Sequence, residues 1–192
     1  SQTRWFINQM DIRDAIIIQV GDFGAGFKST RAGDIESLDR VLGQRNCEMI
    51  AIRGNHDDPA YFGKPFHNCE NIELLPDYTI RTINGLRYLF VGGAISVDRC
   101  DRLEGISWWT DEGFVLQTPA ETEFDVVVTH TCPAQTGLFK DTGRIDYWLN
   151  KDPALRQDLI DERDLVSKLH DIIKTKLWVF GHFHESHDVQ VN

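Results

Sequence analysis

The chain has 192 residues, 41% of them apolar and five of them Trp, with 30 acidic against 20 basic residues for a net charge of −10. That length can bury one core of its own and is most economically a single domain, and the apolar fraction excludes a disordered chain. The negative charge repels a phosphate backbone at long range and disfavours nonspecific nucleic-acid binding, although a local basic patch can still hold one phosphate.

In chain order, Trp5, Phe6 and Met10 recur at near-helical spacing and predict a first helix over 1–10 that packs on a sheet. Ala15 to Val20 predicts a strand, and Gly24, Gly26 and Gly33 mark the flexible loop after it. Asp34 is placed to cap the next helix, whose buried stripe is Ile35, Leu38, Val41 and Leu42. Met49 to Ile52 is a second strand, so the segment 16–52 is a right-handed crossover between parallel strands. Asn84-Gly85 between Thr79–Ile83 and Leu86–Val91 predicts a hairpin with a type I′ turn, which brings antiparallel strands as well. The segment 92–117 is loop-like, with Trp108-Trp109 at its centre. Asp152-Pro153 reads as cap and first residue of a helix, followed by a stripe of Leu165, Val166, Leu169, Ile172 and Ile173. The last residues, 188–192, read as the start of a strand.

Four strands end in chemistry-bearing residues. Gly21-Asp22 follows Val20, Gly54-Asn55-His56-Asp57 follows Ile52-Arg53, His130 follows Thr129, and Gly181-His182-Phe183-His184 follows Phe180. Polar side chains at strand ends sit on a rigid edge where chemistry is commonly mounted. A carboxylate, an amide oxygen and three imidazoles make a mixed oxygen and nitrogen donor set, suited to Mn²⁺, Fe or Zn²⁺ rather than to soft-metal sites.

These blocks, in this order across most of the chain, resemble the calcineurin-like metallophosphoesterase superfamily, nearest to its uncharacterised bacterial and phage members. The family signature is D-x-H, G-D, G-N-H-[D/E], a His, and G-H-x-H. The resemblance implies an α/β fold in which two mixed β-sheets pack as a sandwich flanked by helices, a four-layered domain. It implies a dinuclear centre in which Asp22 bridges two divalent metal ions, with Asn55, His130 and His182 completing one and His184 belonging to the other. Mn²⁺ is the first expectation, with Fe or Zn²⁺ as alternatives. Alternate extended residues would let His182 and His184 approach from different directions. Two cations about 3.5–4 Å apart clamp a phosphoryl group and acidify a bridging water for in-line attack.

His56 is then the residue that protonates the leaving oxygen or stabilises charge on it, and Asp57 orients its ring. Arg99 and Arg102, in the loop after Gly92-Gly93-Ala94, are candidates for binding phosphate oxygens, or for ion pairs with Asp98, Asp101 or Glu104. Trp108 and Trp109 fence the pocket or plug the core, the core being the plainer reading. His67, His170 and His187 read as surface or helix-face residues.

The D-x-H block is not found before the first helix, and the family continues for another strand or two after G-H-x-H. The expectation is one domain over 1–192 lacking its first strand with that block and its final strand or strands. Cys47, Cys69, Cys100 and Cys132 show no metal or disulfide spacing and read as free thiols of a reducing compartment. No apolar run approaches the roughly 20 residues of a membrane span and no signal peptide is visible, so a cytoplasmic protein is expected.

The leading functional expectation is a metal-dependent phosphoester hydrolase acting on a small phosphomonoester, phosphodiester or nucleotide. Phe23-Gly24-Ala25-Gly26 after Asp22 departs from the G-D-x-V-D-R-G block of protein serine/threonine phosphatases and argues against a phosphoprotein specialist. A fold-sharing scaffold protein with impaired catalysis is the alternative. A nuclease acting on long nucleic acid is weakened by the charge.

Overall fold

The computed structural model describes residues 2–28, 30–138 and 145–190. The apolar runs form two sheets. β1 (Ile16–Gln19), β2 (Glu48–Ala51) and β3 (Ile72–Leu74) pair in that order, parallel throughout. β4 (Thr79–Ile83), β5 (Leu86–Val91), β6 (Glu123–Thr129) and β7 (Lys174–Val179) make the second sheet, with β4 antiparallel to β5 and the other pairs parallel. The second sheet is therefore mixed as expected, while every described pair of the first is parallel.

Period-2 side-chain alternation decides the layering. In β2, Met49 and Ala51 turn outward into a core shared with Ile35, Leu38 and Leu42 of α2 (Ala32–Gln44), while Ile50 and Ile52 turn toward the second sheet. In β5 and β6, Phe90, Val126 and Val128 meet them from the other side. Leu89, Val91 and Val127 face outward onto Val166, Leu169 and Ile173, at the end of α4 (Leu155–Ile172) and just beyond it. Helix, sheet, sheet and helix form the four layers. The 79–91 hairpin has its tight turn at Asn84 and Gly85, both left-handed with φ of 50° and 80°, as a type I′ turn demands.

Several local expectations change. α1 (Gln2–Gln9) exists, but its buried residue is Ile7, and Trp5, Phe6 and Met10 are exposed, because one helical face cannot hold all four. Asp34 sits inside the first turn of α2, where its charge favours the helix dipole; Arg31 is the cap residue and makes no side-chain cap bond. Asp152 terminates the short α3 (Asp146–Lys151), and α4 begins two residues beyond Pro153. Residues 188–190 form no strand, and 191–192 lie outside the described residues. All four cysteines are free thiols. Among the described residues no helix is long and apolar enough to cross a membrane.

Because β1, β2, β6 and β7 all run parallel to their partners, the loops that follow them emerge at the carboxyl ends of the two sheets. Arg53, 6% exposed, ties those ends together: its guanidinium pairs with Asp77 at 2.7 Å and donates to the carbonyls of Glu112 and Gly113.

Candidate active site

Asp22, Asn55, His130 and His182 converge where these loops meet. Asp22 Oδ1 lies 3.2 Å from His130 Nε2, which lies 3.1 Å from Asn55 Oδ1, which in turn lies 3.0 Å from His182 Nδ1. Two of these side chains, His130 and Asn55, are aimed by a second contact. His130 Nδ1 faces the Val20 carbonyl at 2.6 Å and donates to it, so Nε2 is the nitrogen turned to the cluster. Asn55 Nδ2 donates to Ser96 Oγ at 3.2 Å, which leaves Oδ1 facing inward. Asp22 Oδ1, His130 Nε2 and Asn55 Oδ1 thus converge, a donor set of the kind that can hold a cation once His130 gives up its Nε2 proton. Donors that share one octahedral cation at about 2.1 Å stand about 3 Å apart, so the spacing fits such an ion. Among the described residues no three His, Cys, Asp or Glu side chains close such a group by themselves, and it is the amide oxygen of Asn55 that joins them.

The backbone is shaped for this approach. Asp22, His182 and His184 are left-handed, with φ of 57°, 68° and 53°, conformations that cost energy outside glycine and collect at functional sites. His182 and His184 are therefore not alternate residues of an extended strand. They follow β7 in a tight turn, and His184 sits exposed at the rim of the cavity with no hydrogen bond to the four among the described residues. A Cβ on Gly54 would stand 2.3 Å from Asp22 Oδ1, and one on Gly21 would stand 2.2 Å from His130 Nδ1, so both positions require glycine.

The electrostatics follow from crowding. Burial works to raise the Asp22 carboxyl, but the His130 hydrogen bond and charge, helped by His56, hold it below the ordinary carboxylate range. Burial works to lower His130, and its contact with Asp22 overcomes this and raises it. Burial, then the charge of His130, push His182 well below an ordinary histidine, which keeps its ring neutral.

His56 stands beside the cluster, its N–H donating to Asp22 Oδ1 at 3.1 Å. Arg102 Nη2 lies 2.8 Å from His56 Nε2. A guanidinium only donates, so Nε2 accepts and the ring keeps its proton on Nδ1. Burial is the main cause of the lowered pKa of His56, with Arg102 adding to it and Asp22 opposing it. Phe27 stacks on the same ring at 4.9 Å between centroids, and Arg102 lies over the Phe27 ring at 5.8 Å. Arg102 Nη1 also donates to the Asn55 carbonyl and to Ser96 Oγ, each at 2.9 Å, and its Nε pairs with Asp98.

Two expectations are corrected. Asp57 does not orient His56. It is fully buried, and its two oxygens accept from the N–H groups of Phe23, Gly24, Ala25 and Gly54, clamping the Asp22 loop to the Asn55 turn. Burial pushes its carboxyl up to about 6 against the pull of those donors. Arg99 does not face the cavity. Its guanidinium pairs with Asp152 and Asp158, fastening the loop to the start of α4. Of the two arginines, Arg102 alone lines the site.

The roles of Phe27, Ser96 and Arg53 were not foreseen. Arg53 had a signal, since it directly precedes the Asn55 turn and Gly92-Gly93 leave room for it. Phe27 and Ser96 had none, because their partners are distant in sequence. Trp109 is buried against Phe27, in keeping with the core reading. His67 is exposed, His170 lies on α4 against Trp178, and His187 reaches the Thr136 carbonyl.

Asp57→Ala leaves four backbone N–H groups without their acceptor, three of them in buried contacts. The expected loss is about 3 kcal/mol or more in denaturant unfolding. A loss under about 1 kcal/mol would show that the clamp is dispensable.

A search of curated proteins and of solved structures returned no match. The family model described as Calcineurin-like phosphoesterase matches residues 3–186, a span that holds the four converging side chains, His56, Arg102 and His184, and the chain belongs to that family.

Proposed function

We propose that the protein hydrolyses a small phosphomonoester or phosphodiester with the help of two divalent metal ions. The observation that carries this reading is the convergence of the Asp22, Asn55, His130 and His182 side chains, which suits a hard or borderline cation such as Mn²⁺, Fe or Zn²⁺. When bound, the metals supply Lewis acidity at phosphorus and lower the pKa of the attacking water. The chain does the rest. Asp22 would supply charge to both ions, and Asn55, His130 and His182 would hold one of them. His184, at the rim, is the residue left for the other. Arg102 offers a guanidinium beside the phosphoryl position, although part of its fork is already engaged by Asn55 and Ser96. His56, its Nε2 occupied, presents the Nδ1 proton to the departing oxygen.

The exposed position of His184, without a hydrogen bond to the four among the described residues, favours a second reading: a binding protein that holds one ion and turns over nothing. Metal stoichiometry of the full-length protein by elemental analysis, together with hydrolysis of bis-p-nitrophenyl phosphate in added Mn²⁺, distinguishes them. Two ions per chain and turnover that a chelator removes are expected. One ion or none, without turnover, selects the binding protein.

A further inference from the structure

The cluster opens into a cavity of about 390 Å³, far more room than a phosphoryl group needs and within the range of pockets that enclose an organic ligand. Its lining joins Asp22, Asn55 and His182 to the apolar side chains Trp148, Leu159 and Phe183. The apolar lining meets the cluster at Phe183, whose ring stands edge-on to the His182 ring at 5.1 Å between centroids. A ligand held at phosphorus by the cluster therefore reaches this wall with its first organic group.

Trp148 and Phe183 give this wall two aromatic side chains, Leu159 joins them from α4, and the Arg163 guanidinium lies over Phe183 at 5.9 Å. Glu162, also on the wall, does not make it acidic toward a ligand, since its oxygens accept from the N–H groups of Phe114 and Ile95. Bare phosphate or a glycerol-sized ester would leave these apolar surfaces against water, and aromatic rings favour one another beyond the area they bury.

We infer that the substrate is a phosphoester whose organic group carries an aromatic ring, seated against Trp148, Leu159 and Phe183. The inference rests on the hydrolytic reading above, because it takes the phosphoryl group to lie at Asp22 and Asn55. It identifies which ester enters, and so sets specificity apart from chemistry.

Non-hydrolysable phosphonates test it without involving leaving-group reactivity. Benzylphosphonate and methylphosphonate carry the same charged head, and their affinities for the Mn²⁺-loaded protein are measured by calorimetry. Benzylphosphonate is expected to bind at least about 30-fold more tightly. Trp148→Ala, at a half-buried position on α3, is expected to shrink that ratio to below about fivefold, with the thermal unfolding of the variant confirming its fold. Equal affinity of the two phosphonates for the native protein overturns the inference and leaves the hydrolytic reading standing. Failure of both to bind overturns the hydrolytic reading itself. A ratio unchanged by Trp148→Ala removes the wall from the account.

Discussion

Asp22→Asn abolishes metal-dependent hydrolysis, with kcat/KM expected to fall at least about 10³-fold, roughly 4 kcal/mol of transition-state stabilisation. The substitution is close to isosteric, and its effect is confined to charge. Asn tolerates left-handed backbone better than other side chains, so the φ of 57° at this position adds no new strain. The oxygen that accepts from the His56 N–H at 3.1 Å can be kept by the amide, so the Asn55 turn stays in place. What disappears is the anion that pairs with His130 and that the proposed metals would share. The metal content of the purified variant drops with the activity, while the melting temperature of the metal-free protein stays within a few degrees. A variant that kept a tenth of the activity would show that Asp22 is not the shared ligand.

The sequence was most legible where one local pattern decided the outcome. The outward and inward residues of β2 alternate as its apolar run requires, and the Asn84-Gly85 turn follows from the φ angles those two residues accept. Asp22, Asn55, His130 and His182 could be picked out because each ends or closely follows a strand, and parallel strands bring such ends to one edge. β3 has only three residues and α3 only six, too short for either periodicity to register.

Side chains with long-range partners were the least legible. Arg99 and Arg102 lie three residues apart, yet one reaches α4 and the other reaches Asn55 and His56, a choice made by packing between distant segments. Asp57 neighbours His56 in sequence, but four N–H groups from two loops meet at its carboxylate, and leaving those buried donors unpaired costs more than a hydrogen bond to the His56 ring returns. Alternate placement of His182 and His184 needs an extended backbone, but β7 ends at Val179, before them, and both residues are left-handed.

His56→Ala is expected to spare metal binding and to lower kcat by an amount that depends on the leaving group. Among the described residues the ring makes no direct hydrogen bond to Asp22, Asn55, His130 or His182; its link to Asp22 is through the backbone N–H, which alanine retains. The side chain itself is held by Arg102 at Nε2 and by Phe27 across its face, which fixes the direction in which the Nδ1 proton points. A hydrogen bond to the departing oxygen gains strength with the negative charge that oxygen develops. With p-nitrophenyl esters the ring system already carries that charge, and the loss in kcat is expected to be about tenfold. With phenyl or alkyl esters the oxygen needs the proton donor, and the loss rises to about 10²–10³-fold. Phe27→Leu, which keeps an apolar neighbour but removes the stacked ring, is expected to give a smaller loss with the same leaving-group dependence. Equal losses for good and poor leaving groups would assign His56 to binding rather than to the departing oxygen, and loss of metal from His56→Ala would place it among the ligands instead.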